Sequence, residues 1–449
     1  MHRCTGLLAT IVCVCILLSG CNIIGMDVEN QLIPPQNDKE QNAMQTALYT
    51  YLQSYDFTLT YPVSGDYQTP FIVLDEVKKT EVVSSETATK AQTPDSSSLS
   101  NWGIVFYRWN MNGAKTKIHL LKRNENGVWE TVADIEGLGE DVAEVNFADL
   151  NGDGFPELLV GWNMYNTTDK RLVIYRIDRK LSTVTFENAY TVLRSADMTD
   201  DEADDVLLFN IGSGDAQVKA RLYSYVNDQM QFCGETRLDS AIKQIGSSIV
   251  AALSPTVNGI FVDCQKDADT TITELIYWNN SSLESPFNNK QTHLNTITAR
   301  ENGLACRDID GDGIVEWPVS KRLIGYENTS LEKTLWQTDW LAYDFRSAQV
   351  NRKFSSIVNP MDSYMLRLRD EWADGAVNLT YDVDNNILRI RQTGEDHDFL
   401  QLLATHSDTK IALPDGFSYF DGPDTWHYAV WVDSQVVTLE EIQYLFMVL

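Results

Sequence analysis

The chain has 449 residues, 43% of them hydrophobic and 10% aromatic, so it can bury a sizeable core and is too long for one ordinary globular domain. Asp and Glu outnumber Lys and Arg by 64 to 35, giving a formal charge of -29. Such a chain repels phosphate backbones and anionic lipid headgroups, which excludes a general nucleic-acid-binding role.

The first element is a leader. A polar start with one Arg (Arg3) is followed by the apolar run LLATIVCVCILL at 7–18, the right length for a signal core and too short to span a bilayer. The run ends in LSGC at 18–21. This resembles the lipobox of bacterial lipoproteins. The resemblance implies cleavage after residue 20 and a mature N-terminus at Cys21 carrying diacylglycerol and a fatty acyl chain such as palmitate, enough for stable anchoring to the cell membrane. Residues 21–54 then read as a lipidated tether, with its last part, 39–54, able to form a short helix. Of the seven cysteines, Cys233, Cys264 and Cys306 remain beyond the lipobox. Their odd number and wide spacing give no disulfide framework, and one bridge among them stays open.

Strand-like segments follow at 57–63, 71–77, 102–109, 115–123 and 128–135, rich in β-branched and aromatic residues and bounded by turn formers. A Ser/Thr-rich stretch at 80–101 reads as a long surface loop. Then comes ADLNGDGFPELLVGW at 148–162, with Asp149, Asn151 and Asp153 at alternate positions, Gly154, and Glu157 opening an apolar run. CRDIDGDGIVEWPVS at 306–320 repeats it, with Asp308, Asp310, Asp312, Gly313 and Glu316 in register. SADMTDDEADDVLLF at 195–209 is a partial copy in which Asp197, Thr199, Asp201 and Asp205 take the oxygen positions and Glu202 replaces the Gly. Weaker copies start at Ser254 and Asp75. The spacing is about fifty residues once the 80–101 insertion is removed, and each unit holds about four short strands, which is what a propeller blade needs.

These repeats resemble the FG-GAP and VCBS-type repeats of integrin-like β-propellers. The resemblance spans about residues 55–357 and implies a mainly β fold, a propeller of about five blade-like units. Residues 358–449 read as a separate small α+β domain. It carries a possible helix at 396–406, a strand at 426–434 and a C-terminal helix opened by a T-x-x-E box at Thr438 and Glu441.

The acidic loops fit a hard cation. Ca²⁺ takes six to eight oxygens, and alternate side chains converge on one point only where the chain turns tightly at a Gly. The expected ligands are Asp149, Asn151, Asp153, the Phe155 carbonyl and Glu157 in one loop. In the other they are Asp308, Asp310, Asp312, the Ile314 carbonyl and Glu316. An EF-hand needs a Glu at loop position 12, where this chain has Val160 and Val319, so a strand–loop–strand clip is expected instead. The Ser254 copy has no carboxylate at these positions and is expected to bind nothing.

No H-E-x-x-H, G-x-S-x-G or phosphate-cradling glycine loop is present, and His119, His293, His397, His406 and His427 lie far apart in sequence. The expectation is therefore a lipid-anchored, extracytoplasmic, calcium-stabilised propeller that binds an extracellular protein or glycan without catalysis. The alternatives are a lyase or hydrolase with its site on the propeller face, and a glycan- or solute-capture protein. The anchor is directly testable. Cys21→Ser should move the protein from the membrane to the soluble fraction, and retention in the membrane would show that LSGC is not a lipobox.

Overall fold

The computed structural model describes residues 39–449 except 54–55, 75–81, 85–100, 165–169, 179, 213–216, 302, 324–325, 327–329, 331–333, 383–384, 407–411 and 421–425. The expected leader, Cys21 and most of the expected tether lie outside the described residues.

The fold is mainly β and propeller-like. The described strands form six sheets, and in most of them strand order follows chain order. The second sheet is a four-stranded antiparallel meander of Asp141–Ala148, Glu157–Asn163, Lys170–Tyr175 and Thr183–Tyr190. The third repeats it with Val192–Ala196, Asp205–Asn210, Lys219–Val226 and Gln229–Arg237. The fourth uses Gln244–Ser254, Val257–Gln265, Thr271–Asn279 and Ser282–Glu284. In the first sheet, Phe57–Leu59 and Phe71–Val73 lie on one edge of Trp102–Trp109, so two short pieces do the work of one strand. Lys117–Arg123 and Trp129–Glu136 complete that sheet.

Period-two burial explains why these strands read as unbroken apolar runs. In Glu157–Asn163, Leu158, Val160 and Trp162 face the first sheet and pack with Ile104 and Phe106. Leu159 faces the other way and packs with Val206 and Leu208 of the third sheet. Leu207 and Phe209 in turn meet Ile260 and Val262 of the fourth sheet. Phe261 and Leu275 meet Trp317 of the fifth. Each sheet is thus buried on both faces, and alternate side chains of one strand serve two different cores.

Three expectations are corrected. First, Lys39–Leu52 is a helix whose Met44 and Leu48 are fully buried against the first sheet, so the packed body includes 39–52 rather than starting at 55. Met44 fills the space over Gly103, its methyl carbon 2.5 Å from where a Cβ would stand. Glu40 adds hydrogen bonds from Arg123 at 2.9 Å and from the Trp129 indole at 3.2 Å. Second, the 80–101 segment is not all surface loop. Val82–Val83 adds a parallel strand to Val250–Ala251 of the fourth sheet.

Third, the 357/358 boundary falls inside the strand Gln349–Asn359, which pairs with Tyr364–Leu368 in the fifth sheet. The rest of that sheet is Glu316–Arg322, Trp336–Asp344 and the C-terminal Phe446–Val448. The 396–406 segment contains no helix. Leu400–His406 is a strand of the sixth sheet, between Ile387–Gln392 and Trp426–Val432. Its short apolar run fits either period, and pairing on both sides decides for the strand. Leu400 and Leu402 pack with Ile357 and Leu366 of the fifth sheet, so the C-terminal region shares a core with the repeats. The Thr438 cap holds, its side chain accepting from the Glu441 N–H at 3.2 Å, but the helix ends at Leu445. Cys233, Cys264 and Cys306 are free thiols.

If the N-terminal helix belongs to the body, Met44→Ala should lower stability by about 2–4 kcal/mol in denaturant unfolding. A tether residue would change it by less than about 0.5 kcal/mol.

Candidate cation-binding loops

The three best sequence copies share one backbone. In each, the residue before the loop pairs with the acidic residue at position 9: Ala148 with Glu157, Ala196 with Asp205, and Arg307 with Glu316. Position 2 is a buried apolar anchor, namely Leu150, Met198 and Ile309. Its N–H donates to the position-9 carboxylate at 3.0, 2.9 and 3.1 Å respectively. The position-1 carboxylate accepts the N–H groups of the turn. Asp149 takes those of Asp153 and Gly154 at 3.1 and 2.8 Å. Asp308 takes those of Gly311, Asp312 and Gly313 at 2.8, 3.1 and 2.8 Å. Asp197 takes those of Asp200, Asp201 and Glu202 at 2.8, 3.3 and 3.1 Å.

Positions 4 and 6 carry positive φ in all three loops. Gly152 and Gly154 stand at 69° and 82°, and Gly311 and Gly313 at 73° and 82°. Asp200 and Glu202 adopt 62° and 68° without being glycine. The 197–205 copy therefore keeps the full geometry despite its missing Gly, at the cost of left-handed strain. The Ser254 copy does not, since Ser254 pairs directly with Val257 across a tight hairpin.

The position-9 carboxylates are almost wholly enclosed: Glu157 is 3% exposed, Asp205 1% and Glu316 0%. Burial pushes the Glu157 carboxyl up to about 7, opposed by the Leu150 N–H and reinforced by the charges of Asp153 and Asp149. Burial likewise raises Asp205 to about 6 against hydrogen bonds from Ser224, Met198 and Thr199. It raises Glu316 to about 7 against the opposing pull of Lys353 and the Ile309 N–H.

What balances these charges differs between loops. In 197–205, Thr199 and Ser224 hydroxyls both donate to Asp205. In 149–157, the Asn151 amide donates to Glu157 at 3.0 Å, and among the described residues no Lys or Arg pairs with Asp149, Asp153 or Glu157. In 308–316, side-chain oxygens of Asp308, Asp310 and Glu316 lie within 4.8 Å of one another, a cluster that could hold a metal ion. Lys353 was invisible to sequence reasoning. Its ammonium contacts Asp310 at 3.3 Å, Glu316 at 2.8 Å and Asp312. The Phe155 and Ile314 N–H groups bond the position-5 carboxylates Asp153 and Asp312 at 2.8 and 3.0 Å, which fixes the turn from which their carbonyls were expected to act as ligands.

The loops also touch across sheets. The Asp204 N–H donates to the Asp149 carbonyl at 2.7 Å, and the Asp204 carboxylate accepts the Asp149 N–H at 3.1 Å. Asn258, in the decayed copy, donates to the Asp197 carbonyl at 2.7 Å. The same position-1 carbonyl is thus the junction with the next sheet.

Several other buried polar groups are paired within the protein. His119 is fully buried, with Asp134 at 3.2 Å from one ring nitrogen and Thr131 at 3.1 Å from the other. Arg300 is enclosed with Asp263 at 2.6 Å. On the first strands of successive sheets, Glu144 accepts from Tyr190 at 2.8 Å and Lys170 at 3.0 Å, while Arg194 reaches Ser248 at 2.6 Å.

No family model matches the chain, and no curated protein sequence matches it. Among solved structures, the chain is similar to the exotype rhamnogalacturonan lyase YesX, at 10% identity and a TM-score of 0.32 over 73% of this chain and 82% of that one. It is similar to a rhamnogalacturonan lyase of Bacillus licheniformis at 11% identity and a TM-score of 0.32, covering 65% of this chain and 63% of that one. The Dos1 propeller follows at 8% identity and a TM-score of 0.28, with 64% and 71% covered. At these values the likeness says nothing of activity.

The shared backbone makes a specific prediction. Glu202→Gly should raise stability by about 0.5–1 kcal/mol, read from the denaturant midpoint, by relieving the left-handed strain. A loss instead would show that the Glu202 side chain itself holds the loop.

Proposed function

We propose that the protein is an extracytoplasmic module, tethered to the membrane by lipid on Cys21, whose propeller-like body is clipped by Ca²⁺ and presents a rigid surface to an extracellular protein or glycan. One observation carries the calcium part. The 149–157 loop carries three carboxylates, one of them buried, and among the described residues no Lys or Arg pairs with them. Its donors are hard oxygens at the positions a cation of this class requires: Asp149, Asn151, Asp153, the Phe155 carbonyl and Glu157. A bound ion would neutralise the loop and join the ends of two strands. It would also stiffen the contact with Asp204, because Asp149 belongs both to the cation shell and to the junction with the third sheet. The anchor rests on LSGC at 18–21, and the FG-GAP-like character of the units rests on the repeated loop.

Calcium should raise the melting temperature by about 2–5 °C over EDTA, and Asp149→Asn should abolish that increment. Identical melting with and without calcium would remove the calcium clip. A pH series adds an independent readout. In EDTA the folded chain keeps the Glu157 proton up to about 7, whereas the unfolded chain releases it near 4.5. The folded state therefore binds more protons in this window, and Glu157 makes stability fall as pH rises through it. Calcium should reverse that trend, since it binds the ionised loop.

A further inference from the structure

Two loops carry the full Asp-x-Asx-x-Asp-Gly pattern, and they differ in one respect. The 308–316 loop already contains a cation. We infer that Lys353 is the resident cation of this loop, and that a divalent ion enters it only by displacing the lysine. The inference rests on the proposed calcium reading of 149–157 only for the contrast between the two loops.

The delivery of Lys353 is built into the sheet. Trp340 pairs with Phe354, and the next residue, Leu341, pairs with Arg352. Lys353 is the extra residue of a β-bulge, and bulges re-aim side chains that regular pairing would point elsewhere. From there the ammonium reaches past the intervening strand to Glu316, the first residue of Glu316–Arg322. The side chain is only 20% exposed.

The same bulge recurs in the third sheet. There Leu222 pairs with Gly234 and Tyr223 with Phe232, leaving Cys233 as the extra residue. Its sulfur lies 3.1 Å from the Ser224 hydroxyl, which donates to Asp205. The bulge therefore aims a side chain toward the position-9 carboxylate in both sheets. Only in the fifth sheet is that side chain charged.

One cage cannot hold both cations. Ca²⁺ needs carboxylate oxygens at about 2.3–2.6 Å, and the oxygens it would take are those that Lys353 holds. An ammonium left within about 4 Å of a divalent ion is repelled strongly in so enclosed a place. The fifth-sheet clip is therefore closed without metal, while the second-sheet clip is not.

The test is calcium stoichiometry by equilibrium dialysis on the full chain in detergent. Lys353→Met should bind about one more ion per chain than the wild type. It should melt below the wild type in EDTA and recover with calcium, which a merely structural lysine would not allow. Asp310→Asn, which keeps the lysine, should leave the wild-type ion count unchanged. An equal count in wild type and Lys353→Met overturns the inference, as does loss of an ion in Asp310→Asn. Asp149→Asn reads the other loop separately: if it removes no ion while Lys353→Met still gains one, the reading of 149–157 fails and the lysine assignment stands.

Discussion

The structure depends on a buried carboxylate at the start of the second strand of a repeat. Glu157, Asp205 and Glu316 each accept the N–H of an apolar anchor seven residues earlier, and each is nearly closed off from water. That bond fixes the loop on its hairpin. An ionised carboxylate is costly to bury unless it is paired or fully hydrogen-bonded, so each repeat must supply a countercharge or enough donors. The remaining loop residues vary with how that requirement is met: two hydroxyls in the third sheet, a lysine in the fifth, and in the second the Asn151 amide.

The loops matter beyond their own hairpins because the sheets share cores. The two faces of Glu157–Asn163 serve different neighbours, so a shift of this strand would disturb both. The loop at its head is bonded through Asp149 to the loop of the third sheet, and that loop through Asp197 to the hairpin of the fourth. Apolar packing holds the sheets face to face, and this line of hydrogen bonds holds one rim in register.

Much of this was legible in the sequence. Trp102–Trp109, Glu157–Asn163 and Thr183–Tyr190 begin and end where β-branched and aromatic residues meet turn formers, and the loops follow from spacing and glycine. Other parts depend on contacts that no local pattern records. Nothing in KEQNAMQTALYTYL says that Met44 fills the space over Gly103. Leu400–His406 has an apolar run short enough for either period, and its neighbours decide. The 197–205 copy lacks the glycine that marks the turn in sequence, but the turn requires positive φ, which Asp200 and Glu202 also adopt. Lys353 lies 37 residues from Glu316 and reaches it only through a bulge.

The divergent copies show which part of the motif the fold itself constrains. The Ser254 copy has lost its carboxylates and its turn, yet Asn258 still bonds the Asp197 carbonyl. The 197–205 copy has lost both glycines, yet its acid still receives the anchor N–H, with hydroxyls supplying further donors. What persists in these two copies is the contact to a neighbouring sheet. Only the position-3 Asx is replaced where hydroxyls satisfy the buried acid, by Thr199, whereas Asp197 and Asp201 remain and accept N–H groups of the turn. In the second sheet the Asp149, Asp153 and Glu157 carboxylates are bonded by backbone N–H groups and the Asn151 amide, and among the described residues no Lys or Arg pairs with them. The mutual repulsion of three carboxylates is what the proposed cation would offset there.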